Sequence, residues 1–127
     1  MHVVNQVLTC VQLVAQVCLS GDWLITDTRG QTFDYQWFHQ LGQPEFSGIQ
    51  LVSGKPKYRV WGTIRQSAVE WLCGQSLGPS RSGAVLCKGS LSDDCSKILD
   101  GAYSRSDSGE ELGQFTGECT NKYEVQM

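Results

Sequence analysis

Proline, histidine and, over the first part of the chain, charged residues are scarce in this sequence. Three prolines and two histidines occur among the 127 residues, and no Asp, Glu, Lys or Arg precedes Asp22. His2 and His39 are too far apart in the sequence to form a recognisable metal motif, and the six cysteines include no C-x-x-C pair. The sequence therefore predicts neither a bound metal nor a cofactor.

The sequence also lacks any arrangement typical of a catalytic site. A serine nucleophile needs a positioned base and a group that orients it, and the Ser-Arg-Ser-Gly segment at 80–83 has neither beside it. The acidic pairs at 93–94 and 110–111 lie in turn-like segments, which favours carboxylates facing solvent. No glycine cluster precedes a helix, as a phosphate-binding loop would require. We therefore expect a protein that is not an enzyme.

Long apolar runs are missing as well, because polar residues interrupt residues 3–19 and no basic residue precedes them. This argues against a signal peptide and a transmembrane segment, and indicates a soluble or peripheral protein of undetermined compartment. The net charge of −3 argues against nucleic-acid binding. Residues 55–88 carry six basic residues and one acidic residue, whereas 89–127 carry three basic and eight acidic ones. The basic block predicts either an acidic partner or, as the favoured alternative, neutralisation between adjacent strands.

Residues 3–19 carry apolar side chains at the helical spacing of i, i+3, i+4 and i+7. The opposite stripe is polar but uncharged, and consists of Asn5, Thr9, Gln12 and Gln16. A solvated helix face usually carries charge, so we expect a helix that packs on the body of the protein and docks a protein partner through this stripe. A first β-strand is the minor alternative, because the β-branched valines disfavour a helix.

Residues 20–38 alternate large apolar and polar residues on either side of a Thr-Arg-Gly-Gln turn at 28–31, which is typical of a β-hairpin. Six further strand-like segments follow with short connections between them: 46–52, 58–65, 68–74, 84–90, 97–105 and 112–119. Eight consecutive short strands predict an antiparallel up-and-down meander, closed or nearly closed into a barrel. We expect a single mainly-β domain over 1–127, with an N-terminal helix at 3–19, the meander at 20–119 and a tail at 120–127.

The strand alternation assigns side chains to the two faces of the barrel. Trp61, Arg59 and Arg65 share the parity predicted to face outward. The residues predicted to face inward, as a packed core or as the wall of a pocket for a flat apolar ligand, are Trp23, Ile25, Tyr35, Trp37 and Trp71. The packed core is the favoured alternative of the two.

The cysteines give one further prediction. Cys10 and Cys18, on one helix, would lie roughly 12 Å apart, which is too far for a disulfide. Cys73 and Cys87 flank the Gly78-Pro79-Ser80 turn almost symmetrically. Directly opposed strand residues have Cβ atoms within about 5.5 Å, so this pair is a disulfide candidate, with free buried thiols as the alternative.

The segment Cys18-Leu-Ser-Gly-Asp-Trp23, followed by the Gly30 turn and a second strand, resembles the opening of avidin-like and lipocalin-like barrels. The resemblance implies a calycin barrel whose first-strand tryptophan plugs the floor. Ile25 stands where biotin binders have an asparagine, so biotin binding is not implied. Gly21-Asp-Trp23 and Glu70-Trp-Leu-Cys-Gly74 are also similar to uncharacterised tryptophan/glycine modules of dinoflagellates, which implies an organellar context.

These features together predict a non-enzymatic interaction module. The function we expect is that of an accessory subunit that docks into a larger protein assembly through its N-terminal helix. The alternative is a calycin-type carrier of a small apolar ligand, held inside the barrel.

Overall fold

The chain folds into one closed, eight-stranded antiparallel barrel, seen in a computed structural model that describes residues 19–73 and 85–123. The strands follow one another around the barrel in chain order: β1 Gly21–Asp27, β2 Thr32–His39, β3 Glu45–Val52, β4 Lys55–Arg65, β5 Ala68–Cys73, β6 Val85–Leu91, β7 Lys97–Arg105 and β8 Glu111–Lys122. The predicted meander is thus confirmed. The pairing of β1 with β8 closes it, and the alternative of an open sheet does not apply.

The strands form where apolar and polar residues alternate in the sequence, because successive side chains of a strand point to opposite faces. In β1 the buried positions are Gly21, Trp23, Ile25 and Asp27, and the residues between them are partly exposed. The prediction that Trp61 faces outward is also confirmed, since 58% of it is exposed. Alternation along each strand therefore decides which side chains fill the barrel.

The predicted N-terminal helix and the predicted end of the meander can be compared with the structure. The helix expected at 3–19 lies outside the described residues except for Leu19, which belongs to no regular element. β8 continues to Lys122, beyond the predicted end of the meander at residue 119. Its last residues pair with the first residues of β1, Lys122 with Gly21 and Asn121 with Asp22, so the first part of the predicted tail belongs to the barrel.

Aromatic rings fill the middle of the barrel. Trp37 is fully buried and stacks on Trp23 with ring centroids 5.1 Å apart, and it meets Trp71 edge-on at 4.8 Å. Phe46 and Tyr35 contact the same tryptophan at 5.0 and 5.6 Å. Close aromatic pairs of this kind stabilise a core beyond the area they bury, so this cluster is the packing centre of the fold.

The predicted opposition of Cys73 and Cys87 is wrong by two residues. β5 and β6 pair in a register that places Cys73 opposite Val85, and Cys87 opposite Trp71. The register is symmetric about position 79, the middle of the Gly78-Pro79-Ser80 turn, whereas opposition of Cys73 and Cys87 would require symmetry about position 80. Since side-chain direction repeats every two residues, the shift still leaves Cys87 buried inside the barrel. The side chain of Cys73 lies outside the described residues, and the disulfide stays a prediction.

Candidate functional site

The two ends of the barrel are built differently. One end carries the turns at 40–44, 66–67 and 92–96, and Leu19 plugs it with no exposed surface. The backbone N–H of Leu19 donates to Nδ1 of His39 at 3.1 Å, and its carbonyl accepts from Nε1 of Trp23 at 2.8 Å. We call this the plugged end. The opposite end, whose described turns are 28–31, 53–54 and 106–110, is called the open end.

A small apolar cavity lies in the barrel toward the open end. Its volume is about 140 Å³, and its walls come from six of the eight strands. The side chains that line it are Ile25, Phe33, Tyr35, Gln50, Val85, Cys87, Tyr103 and Phe115. The aromatic cluster therefore fills the plugged half of the barrel but leaves space in the other half.

A buried carboxylate, that of Asp27, is hydrogen-bonded to Tyr103 of the cavity wall, and we call Asp27, Arg29 and the Tyr103 hydroxyl the rim of the cavity. Oδ1 of Asp27 accepts the backbone N–H groups of Arg29 at 2.9 Å and Gln31 at 2.8 Å, which fixes the β1–β2 turn. Its Oδ2 accepts the hydroxyl of Tyr103 at 3.2 Å. Burial raises the pKa of the Asp27 carboxyl, but these hydrogen bonds and the Arg29 charge outweigh burial, so the pKa lies below its ordinary value of 3.8. Asp27 is therefore ionised near neutral pH.

Tyr103 connects the rim to the cavity. Its ring lines the cavity, while its hydroxyl also accepts from a guanidinium nitrogen of Arg29 at 2.9 Å. The Arg29 side chain is 66% exposed, and the charge of Asp27 lies 3.9 Å from it. The charges at the rim thus compensate each other, which suits a cavity that takes an uncharged molecule.

The structure divides the predicted ligand-binding residues into two groups. Ile25 and Tyr35 lie in the wall of the cavity. Trp23, Trp37 and Trp71 belong to the packed cluster and do not line the cavity. The packed core thus occupies the plugged half, a cavity lies in the open half, and ligand binding by these residues stays a prediction.

Several wall residues were not predicted from the sequence. Phe33 and Phe115 follow the inward parity of their strands, so alternation alone was enough to find them. Gln50 was missed because a polar residue inside a barrel contradicts the expected pattern, yet it is only 7% exposed. Val85 belongs to the wall because of the register of β6, which the sequence does not fix.

The predicted docking residues Asn5, Thr9, Gln12 and Gln16 lie outside the described part of the chain. On the described outer surface, Trp61 is the most exposed of the large apolar residues. It pairs with Ser47 on β3 and Leu72 on β5, and Leu72 pairs in turn with Leu86 on β6. An apolar strip thus crosses the outside of the barrel.

Other kinds of site find no support among residues 19–73 and 85–123. No group of His, Cys, Asp and Glu residues in this part of the chain is arranged to hold a metal ion. Nor does this part contain a helix with the length and apolar character needed to cross a bilayer.

The fold and the cavity define a class of protein, a closed up-and-down β-barrel with an apolar cavity near one end. No protein-family model, curated protein or solved structure matches the chain. Function therefore has to be argued from the site itself.

Proposed function

We propose that this protein is a non-enzymatic barrel that binds a small, uncharged, apolar molecule in the cavity at its open end. The observation that carries the proposal is the cavity itself. The interior of an eight-stranded barrel can be filled completely by side chains, and protein interiors are normally packed without large voids. Its surface is almost entirely apolar, with Phe33, Phe115 and Ile25 among its walls. Mostly apolar walls with a few polar groups are typical of small-molecule sites.

The size of the cavity sets the size of the ligand. Apolar cavities of about 150 Å³ stay dry and take up molecules the size of benzene. A volume of about 140 Å³ therefore fits a single ring or a short branched chain. Larger flat ligands, such as fused-ring pigments, would need the aromatic cluster to rearrange.

Thermal unfolding with a panel of benzene, toluene and short branched alcohols tests the proposal. A bound ligand should stabilise the folded state by about 2.7 kcal/mol at a hundred times its dissociation constant, so the melting temperature should rise with ligand concentration. The cavity-filling change Val85→Phe should abolish this rise. Leu86→Phe, on the outer face of the same strand, is the matched control and should keep it. The proposal fails if no member of the panel raises the melting temperature of the wild-type chain.

The exposure of Trp61 favours a second candidate function, that of an interaction module. Tryptophan is enriched at the energetic centres of protein interfaces, and here its side chain is 58% exposed beside the half-buried Leu72 and Leu86. Docking of an accessory subunit through residues 3–19 belongs to this proposal. Changing Gln12 and Gln16 to Glu should then abolish partner binding while the barrel stays folded. Normal assembly of this double variant would contradict helix docking.

A further inference from the structure

One side chain in the wall of the cavity differs in chemistry from most of the wall. Gln50 lies among mainly apolar and aromatic residues and is only 7% exposed. It occupies an inward-facing position of β3, as Phe46 and Gly48 do before it. Burying an amide is unfavourable compared with burying an apolar side chain unless hydrogen bonds compensate it. Packing alone therefore does not explain an amide at position 50.

Gln50 lies at the inner end of the cavity, beside Tyr35. The two residues are directly opposed in the register of β2 and β3, so their side chains are neighbours on the inner face of the barrel. Tyr35 belongs both to the cavity wall and to the aromatic cluster, where its ring centroid lies 5.9 Å from that of Trp71. The cavity therefore adjoins the cluster at Tyr35, and Gln50 lies on the same side.

The rest of the wall suits an apolar ring. Phe33, Phe115 and Val85 contribute aromatic and branched apolar side chains, whereas the hydroxyl of Tyr103 is bonded to other residues at the rim. A carboxamide such as that of Gln50 has two N–H donors and an oxygen that accepts, so it can bond a ligand group in addition to a contact within the protein. A mostly apolar wall with a polar group at one point is typical of a site that orients a small ligand.

We propose that the ligand of the cavity is a single uncharged ring with one hydrogen-bonding group, as in phenols and cyclic ketones, and that the amide of Gln50 binds this group. The inference rests on the proposed function, because it specifies what the same cavity binds. A wholly apolar cavity prefers toluene to phenol, since the phenol hydroxyl would lose its hydrogen bonds to water without replacement. The amide of Gln50 replaces them, which makes Gln50 the residue that determines specificity.

Isothermal titration calorimetry with phenol and toluene, which have nearly the same shape, tests the proposal. The wild-type chain should bind phenol at least as tightly as toluene. Gln50→Met keeps a long unbranched side chain but removes the amide, so the dissociation constant for phenol should rise about tenfold to a hundredfold, while that for toluene should not rise. Gln36→Met, on the outer face of β2, is the matched control and should keep the wild-type preference.

A second measurement uses the wild-type chain alone. In heteronuclear NMR spectra, the side-chain amide signals of Gln50 should shift much more on addition of phenol than on addition of toluene, because only phenol forms a hydrogen bond with the amide. Equal shifts with the two compounds contradict the proposed contact. Near-ultraviolet circular dichroism checks that each variant is folded.

The outcomes separate this inference from the proposed function. A wild-type chain that binds toluene but not phenol overturns the inference and leaves the proposed function intact. A chain that binds neither compound overturns both. Phenol binding that survives Gln50→Met but is lost in Tyr35→Phe assigns the hydrogen bond to Tyr35 and overturns the role of Gln50.

Discussion

At the scale of single residues, His39 joins the buried backbone N–H of Leu19 to the carbonyl of the exposed Gln43 at the plugged end. Its Nδ1 accepts the N–H of Leu19 at 3.1 Å, and its Nε2 lies 2.6 Å from the carbonyl oxygen of Gln43. A carbonyl oxygen only accepts, so Nε2 carries the proton and the imidazole is neutral in this arrangement. His39 thereby ties the Leu19 plug to the turn after β2.

Replacing this imidazole by a ring that forms no hydrogen bonds isolates its contribution. His39→Phe leaves the buried Leu19 N–H without a side-chain partner, and an unpaired buried group costs about 1–3 kcal/mol, whereas the carbonyl of the exposed Gln43 can bond to water instead. We expect the free energy of unfolding in urea to fall by about 1–3 kcal/mol. Gln40→Ala, at the exposed neighbouring position, should stay within about 0.5 kcal/mol. Equal stabilities for His39→Phe and the wild-type chain would contradict this account.

At the scale of elements, β7 approaches β8 so closely that only glycine fits at one point. A Cβ atom added to Gly101 would lie 2.4 Å from Cε1 of the Phe115 ring. The same ring forms part of the cavity wall and contacts Trp71 with ring centroids 5.5 Å apart. The position of the β7 backbone therefore fixes a ring that borders both the core and the cavity.

Gly101→Ala should force the Phe115 ring to move and lower the free energy of unfolding by about 1–3 kcal/mol. A second change, Phe115→Leu, removes the ring atoms that the new methyl group meets. In a double-mutant cycle measured by urea unfolding, the two changes should therefore cost less together than the sum of their separate costs. Ala102→Ser, at the next residue of β7, is the control and should change stability by less than about 0.5 kcal/mol. If the two destabilisations are simply additive, the Phe115 ring is not the group that requires glycine at position 101.

At the scale of the whole molecule, the barrel is closed by strands from opposite ends of the chain. The hydroxyl of Tyr123 donates a hydrogen bond to Oδ1 of Asp22, and the backbone N–H of Tyr123 donates to the carbonyl of Ser20 at 3.1 Å. Burial, the hydrogen bond and the negative charge of Asp22 together raise the pKa of Tyr123 to about 12, from an ordinary value of 10. These hydrogen bonds hold the residue after β8 against the start of β1.

The raised pKa makes closure sensitive to alkali. A folded-state pKa above the unfolded value means that the contribution of Tyr123 is fully present below pH 10 and is lost as the pH rises through 12. Urea unfolding of the wild-type chain and of Tyr123→Phe should therefore differ most below pH 10, and the difference should shrink toward pH 12. A difference in stability that stays constant over this range would rule out the Asp22 contact as its source.

Much of this architecture can be read from the residues in order. Period-2 alternation predicted the strands, and their short connections predicted the meander. Parity placed Trp23, Trp37 and Trp71 inside and Trp61 outside, because side-chain direction along a strand is a local property of the backbone. Half of the cavity wall was predictable on the same grounds, since Ile25, Tyr35, Phe33 and Phe115 all have inward parity.

Barrel closure, strand register and the position of the cavity depend on contacts between residues that are distant in the sequence. The pairing of Trp23 with Cys119 closes the barrel, and the pairing of Trp71 with Cys87 sets the register of β5 and β6. Neither follows from local alternation, because a shift of two residues preserves every side chain's face. The position of the cavity depends on how three tryptophans pack in three dimensions. The sequence by itself determined which side chains enter the barrel, and only the tertiary structure decided which of them meet and where space is left between them.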